Sequence, residues 1–264
     1  MQLSIIVLTW NSENYIDACL ESIVGSIHLS PNNYEIFIVD NGSTDRTRLH
    51  IEQFQQKHPN LITLIALDAN LGTTYPRNLA LKKATGQYLA IMDCDIEINS
   101  GTFKLLINEL AQNNDAGLVA PRLVYGSGTL QKSTDQFPTL LHKVYRYLFL
   151  KQLESRENKA DLNREPVPVD YAISAFWLFR RELIEQIGYL DEKFFYAPED
   201  VDFCLRVWKH GQSVVYIPEA YAIHYAQEIS RGLVFNKAQA EHLRGLMYYF
   251  AKHKYLVRKP KFTH

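Results

Sequence analysis

The sequence predicts an α/β fold: a mostly parallel sheet flanked by helices, of Rossmann-like construction. Three observations carry that expectation. Strand-like and helix-like segments alternate through residues 1–100, and the strand-like segments are near-continuous apolar runs, as in strands covered on both faces. The fourth such run, Tyr88 to Met92, leads directly into the acid pair Asp93-Cys94-Asp95. In an open α/β sheet, ligands bind at the carboxyl edge of the strands, and two hard carboxylates there suit Mg²⁺ or Mn²⁺ with a diphosphate as companion.

Taken in order, Leu3 to Trp10 is a β-rich run, and Asn11 or Ser12 is placed to cap a helix whose apolar residues Ile16, Leu20, Ile23, Val24 and Ile27 recur at three and four. Tyr34 to Asp40 is a second strand, followed by the turn-rich Asn41 to Asp45 and a helix to about His58. Leu61 to Leu67 is a third strand, and Thr73 to Ala84 a third helix stopped by Gly86. Beyond the acid pair come a helix from Thr102 to Gln112, a strand from Gly117 to Tyr125, and a stretch to Leu150 of different texture. Residues 151–166 are almost all polar and charged and read as a loop placed to act as a lid. Structure resumes with Val169 to Arg180, the helices Arg181 to Ile187 and Asp200 to His210, and a strand Ser213 to Ile217 closed by Pro218. The expected division is a nucleotide-binding half over 1–100, a second half of the same domain over 101–230, and a basic helical tail over 231–264.

Composition limits the function classes. With 264 residues, 47% of them apolar, the chain has material for a sizeable core, and a net charge of −1 gives no general reason to expect a nucleic-acid partner. The opening residues carry neither a basic leader nor a small-residue cleavage site, and their apolar run is too short to span a bilayer, so the expected location is cytoplasmic. Cys19, Cys94 and Cys204 stand far apart and in no ligand spacing, which reads as reduced thiols, with Cys94 a small core side chain between the two acids.

Several residues converge on the edge that carries Asp93. Thr9 and Asp40 end the first and second strands, where a carboxylate can accept the imide N–H of uracil or thymine and a hydroxyl can satisfy a ring oxygen. Asn70-Leu71-Gly72, followed by Arg77-Asn78, supplies close backbone approach and a guanidinium able to reach base or phosphate. The same residue types cap helices, so Asp40 and Asp45 are equally readable as caps. Glu199, Asp200 and Asp202 open a helix, as the macrodipole favours, yet Phe194-Phe195-Tyr196 just before them makes an apolar setting in which a carboxylate is partly desolvated and becomes a usable general base. His224 follows a strand and a turn that can return the chain to a metal, although a histidine on an apolar stretch is more often simply packed.

In this order the segments resemble the family 2 inverting glycosyltransferases of the GT-A fold, and within them the rhamnosyl- and galactofuranosyl-like members of bacterial cell-surface polysaccharide synthesis. Ser4 to Asn11 is similar to the family's opening strand, Phe37 to Asp45 to its nucleotide-binding turn, Asn70 to Asn78 to its glycine-containing loop, and Asp93-Cys94-Asp95 to its metal triplet. Ala172 to Glu182 is similar to the acceptor-side strand, with Ser174-Ala175 where glycine is usual, and Gly188 to Arg206 to the loop and helix bearing the base. The resemblance implies Asp200 as base with Glu199 beside it, Asp95 as principal metal ligand with Asp93 and His224, and Thr9, Asn11, Asp40, Asn41, Gly72, Arg77 and Asp93 as the nucleotide-sugar contacts. It implies Mn²⁺ or Mg²⁺ as cofactor, a UDP- or dTDP-sugar as donor and a glycan or lipid-linked acceptor, with 1–100 as the nucleotide-sugar-binding half and 101–230 as the acceptor and catalytic half. The short C-terminus departs from the processive polysaccharide synthases of the family and fits addition of a single sugar.

The stretch Met247 to Lys261 mixes aromatics with Lys252, Lys254, Arg258, Lys259 and Lys261 and holds no acid. It reads either as a contact with the anionic inner face of the plasma membrane or as a solvated helix end. Two rival functions remain at this level. A sugar-nucleotide pyrophosphorylase would carry a Gly-rich triphosphate loop after the first strand, which Thr9 to Glu13 lacks, and a non-catalytic nucleotide-sugar-binding protein would need only the first half.

Overall fold

In the computed structural model, which describes residues 2–27, 33–140, 165–226 and 237–262, the first strand β1 (Leu3–Thr9) is buried at every position. Its side chains alternate between two apolar layers: Leu3, Ile5 and Val7 face one, Ile6 and Leu8 the other. This double burial is why the run reads as continuously apolar rather than alternating. Helix α1 (Ile16–Ser26) and helix α2 (Thr47–Lys57) cover the first layer through Ile16, Leu20, Ile23, Ile51 and Phe54. Helix α3 (Thr74–Leu81) covers the second through Ala80 and Leu81.

Strands β2 (Tyr34–Asp40) and β3 (Ile62–Ala66) extend the sheet to one side of β1, while β4 (Tyr88–Asp93) pairs with its other side, all parallel. The chain therefore reverses its direction of travel across the sheet between β1 and β4, with Leu8 in register with Asp93. That is the crevice in which ligands of such sheets bind.

The second half continues the same sheet. After β5 (Ile96–Ile98) and α4 (Thr102–Gln112), β6 (Ala116–Tyr125) is followed by the short β7 (Thr134–Asp135), β8 (Val167–Val169) and β9 (Tyr171–Ala172). Strand β10 (Phe176–Arg180) then inserts antiparallel between β4 and β6. Helices α5 (Arg181–Ile187) and α6 (Glu199–Lys209), strand β11 (Ser213–His224) and helix α7 (Lys237–His253) complete the order. The main sheet runs β3-β2-β1-β4-β10-β6-β11-β5 with β8 also on β11, and β7 pairs with β9 apart from it.

Three expectations are corrected. Helix α1 starts at Ile16 without a side-chain cap, because Asn11 takes a left-handed φ of 50° and turns its side chain to Thr44, while the Ser12 hydroxyl donates to Trp10 O. Pro218 does not close a strand: β11 runs from Ser213 to His224, and Pro218 sits in the register shift between Ile217 and Tyr221, where a missing N–H is tolerated. Strand β5 has no counterpart in the sequence reading. The expected lid over 151–166 lies outside the described residues except for its last two positions.

Candidate active site

The Asp93-Cys94-Asp95 turn is pinned on three sides by backbone hydrogen bonds: Asp93 N donates to Ala175 O at 2.9 Å, Cys94 N to Leu8 O at 3.2 Å, and Tyr225 N to Asp95 O at 2.9 Å. The last contact joins the end of β11 to the turn, and the antiparallel register of β11 with β5 sets His224 opposite Ile96, immediately after Asp95. Three elements far apart in sequence thus deliver one cluster. Ligand atoms of Asp93, Asp95 and His224 all lie within 4.8 Å of one another, and His224 Nε2 is 3.4 Å from Asp95 Oδ1. Burial pushes the Asp93 carboxyl up and the adjacent Asp95 charge adds to that, with Arg77 opposing. His224 is raised, because the Asp95 hydrogen bond and the two acidic charges outweigh its desolvation. Two crowded carboxylates and one imidazole nitrogen are a donor set that fits a divalent cation of the Mn²⁺ or Mg²⁺ class.

Arg77 is buried rather than free in its loop. Its guanidinium donates to Asp93 Oδ1 at 2.6 Å, to Ser174 Oγ at 3.0 Å and to Glu199 Oε1 at 3.4 Å. The Ser174 hydroxyl donates in turn to Glu199 Oε1 at 3.0 Å, so the residue that departs from the expected glycine closes the link between the two carboxylates. Glu199 is 6% exposed, and burial, followed by the neighbouring Asp200 charge, pushes its carboxyl up to about 7. Asp200 lies next to it at the start of α6 and lines the cleft, with its Oδ1 accepting the Val201 N–H. Tyr196 completes the apolar surround; burial and the nearby carboxylates push its phenol up to about 12.

The cleft has a volume of about 950 Å³, and Thr9, Asn41, Gly72, Arg77, Asp93, Asp95, Glu199, Asp200 and His224 all contribute to its wall. At the end of the cleft beside β2, the Asn41 side chain donates to Gly72 O at 2.8 Å and accepts the Leu71 N–H at 2.9 Å, fixing the glycine loop against the end of β2. Gly72 has φ +86°, and a Cβ there would stand 2.1 Å from Phe195 O, so only glycine permits this approach. Asn11 and Asp40 lie outside the lining. Asp40 is fully buried, its Oδ1 accepting the Ser43 N–H and its Oδ2 held by Arg48 at 3.0 Å; Asn11 ties to Ser43 and Thr44 of the same turn. Both shape the turn from behind. Asp45 binds the Thr47 N–H at the start of α2, as a cap does. Cys94 is buried with its thiol pushed up to about 12, first by burial and then by Asp95, and bonded to Ser12, as expected of a core side chain.

The glycosyl transferase family 2 model matches residues 4–188, well over half of the chain. The chain belongs to glycosyl transferase family 2. The poly(ribitol-phosphate) beta-N-acetylglucosaminyltransferase TarS of Staphylococcus aureus is 30% identical over 211 residues, covering 69% of this chain and 36% of TarS. The N-acetylglucosaminyl-diphospho-decaprenol L-rhamnosyltransferase of Mycobacterium tuberculosis is 27% identical over 223 residues, covering 78% of this chain and 71% of that enzyme. This family 2 chain spans only about a third of TarS. Among solved structures, the mannosyltransferase PcManGT of Pyrobaculum calidifontis, in complex with GDP-Man and Mn²⁺, superposes with a TM-score of 0.67 at 20% identity over 99% of this chain and 66% of that one. TarS 1–349 in complex with UDP gives 0.59 at 24% identity, over 84% and 60%. These likenesses establish the GT-A fold. Membership of glycosyl transferase family 2 sets aside the pyrophosphorylase reading.

Sequence reasoning missed Ser174 as a bridge, and it missed Gln131, whose Oε1 lies 2.8 Å from His224 Nδ1. Neither has a local signal: each becomes legible only when strands far apart in sequence are brought together.

Proposed function

We propose that this chain is a metal-dependent inverting glycosyltransferase that moves a sugar from a UDP- or dTDP-sugar to a hydroxyl of a glycan or lipid-linked acceptor in cell-surface polysaccharide synthesis. One observation carries the reading: a cation-type donor set, Asp93, Asp95 and His224, shares a single cleft with the Glu199-Asp200 acid pair. When bound, Mn²⁺ or Mg²⁺ supplies charge neutralisation at the departing diphosphate.

The chain's own residues supply the rest. Asp95, Asp93 and His224 hold the cation, and Thr9, Asn41 and the Gly72 loop form the wall against which the nucleotide lies, with Asp40 and Asn11 supporting that wall from behind. Asp200 takes the proton of the acceptor hydroxyl as its oxygen bonds to the anomeric carbon. The bond from that carbon to the diphosphate oxygen breaks, and its electron pair leaves with the nucleoside diphosphate. Attack from the face opposite the leaving group inverts the centre and needs no enzyme nucleophile. Arg77 and Ser174 hold Glu199 beside Asp200 and tie that turn to Asp93, so the base and the donor site keep a fixed separation.

Asp200→Asn is the direct test. We expect transfer to fall by about 10² to 10⁴ while donor affinity stays near wild type, since only proton transfer is removed. Transfer near the wild-type rate would refute the assignment of the base.

A further inference from the structure

Gln131 lies beside the Asp93, Asp95 and His224 cluster. It is 8% exposed and faces His224 from the side opposite the carboxylates, with its Oε1 at 2.8 Å from Nδ1. A carboxamide oxygen only accepts, so the bond requires that Nδ1 carry the hydrogen. In the neutral imidazole the lone pair is then on Nε2, the nitrogen that faces Asp95 Oδ1 at 3.4 Å.

The residue is delivered by a small hairpin. After β6 the chain turns through Gly128, which has φ +82°, with Tyr125 N donating to Thr129 O at 2.8 Å. Leu130 bridges back to Val124, and Gln131 N donates to Leu123 O at 2.9 Å. The returning segment uses the edge of β6 away from β11, and with Tyr125 opposite His224 the Gln131 side chain reaches the histidine across β6. The hairpin therefore fixes Gln131 by backbone contacts independent of the bond it makes.

We propose that Gln131 selects the Nδ1–H tautomer of His224 and fixes the ring, presenting the Nε2 lone pair to a divalent cation shared with Asp93 and Asp95. An acceptor at this place need not be charged. A carboxamide orients the ring without adding a third negative charge to a cluster that already holds two. This inference rests on the metal-dependent reading of the cleft, and the test separates the two.

The test uses the full chain with UDP and Mn²⁺, reading Mn²⁺ affinity by EPR titration for wild type, Gln131→Leu and Gln131→Glu. Loss of an orienting partner of a metal-bound histidine weakens binding by about 10- to 100-fold, and that loss is expected for Gln131→Leu. Gln131→Glu, which still accepts from Nδ1, is expected to match or exceed wild type. A second readout needs no metal: ¹H–¹⁵N correlation of the His224 ring at alkaline pH reports Nδ1–H in wild type and a shift toward Nε2–H in Gln131→Leu. Equal Mn²⁺ affinity of wild type and Gln131→Leu, or an unchanged tautomer, overturns the inference while leaving the metal site standing. Absence of Mn²⁺ binding by wild type overturns the metal reading and this inference with it. Equal losses in the Leu and Glu variants would mark a packing role and overturn it as well.

Discussion

At the residue scale, the acid pair was legible because its signal is local: an apolar strand ends, and the carboxylates follow at the edge where the sheet opens. Asp200 and His224 needed the order of the whole chain to stand out. The glycine-loop pattern marks Arg77 only as a nucleotide-sugar contact, and its burial between Asp93 and Glu199 depends on β10 and α6, which no local pattern ties to it. The raised Glu199 carboxyl makes a pH prediction. Its folded value of about 7 lies above the ordinary 4.5, so it ionises only as pH rises through about 7. The ionised form places a second negative charge beside Asp200, which favours drawing a proton to that pair, and the rate is expected to climb through that range. In Glu199→Gln that inflection should vanish; a profile unchanged by the substitution would assign it to another group. The stability sign is opposite. A carboxyl with a raised folded value costs stability above its unfolded value, so Glu199→Gln is expected to raise the melting midpoint by about 2 °C or more at neutral pH and to leave it unchanged well below pH 4.5.

At the element scale, the repeating strand and helix of the first half were read nearly to their ends, because covered parallel strands and amphipathic helices each leave a strong periodic trace. Beyond residue 112 the trace weakens. Strand β11 continues past a proline, and β7, β8 and β9 are too short to carry a period. The sequence reading also left Asp202 without a role, and the structure supplies one. Fully buried in α6, it receives Lys252 Nζ at 2.6 Å and His253 Nε2 at 2.8 Å from α7 and Arg206 Nε at 3.0 Å from its own helix. The Arg206 guanidinium also donates to Ile187 O and Tyr189 O, fastening the end of α5. Gly245 of α7 packs so closely on the turn before Glu199 that a Cβ would lie 2.4 Å from Ala197 O. Helix α7 thus clamps the helix that carries Glu199 and Asp200. Burial alone would raise Asp202, but the His253 hydrogen bond and the Arg206 and Lys252 charges bring it down to about 2 from 3.8. A lowered carboxyl stabilises above its unfolded value, so about 2 kcal/mol is present above pH 3.8 and lost as pH falls through about 2. Asp202→Asn is expected to cost about 3 kcal/mol near neutrality and to flatten the acid limb of stability between those values. Denaturant melts across that range check it, and an acid limb as steep as in wild type would contradict it.

At the scale of the whole molecule, the two halves expected from the sequence share one sheet, since β10 inserts between β4 and β6. That insertion brings Ser174 and Ala175 to the acid turn and makes the cleft a joint product of both. The tail divides by function. Tyr249 and Phe250 of α7 are buried in the core, Lys252 binds Asp191 and Asp202, and Lys259 binds Asp170. Lys254, Arg258 and Lys261 remain exposed, and Leu243, Met247, Leu256 and Val257 are each more than half exposed. No helix among the described residues is long and apolar enough to cross a membrane. We propose that these exposed basic and apolar residues of the tail rest on an anionic bilayer, bringing the cleft to a lipid-linked acceptor, with about 1 kcal/mol from each exposed basic residue. The triple variant Lys254→Glu, Arg258→Glu, Lys261→Glu is expected to lose co-sedimentation with vesicles containing anionic lipid, and undiminished binding would rule this contact out.

Under the proposed function, Asp93, Asp95 and His224 together hold a divalent cation against a nucleoside diphosphate. The most direct test is release of nucleoside diphosphate from a panel of UDP-, dTDP- and GDP-sugars by wild type and Asp95→Ala. The account predicts release from at least one donor that stops on chelation, returns with Mn²⁺ or Mg²⁺, and is lost in Asp95→Ala. Release that persists under chelation and in the variant would contradict it.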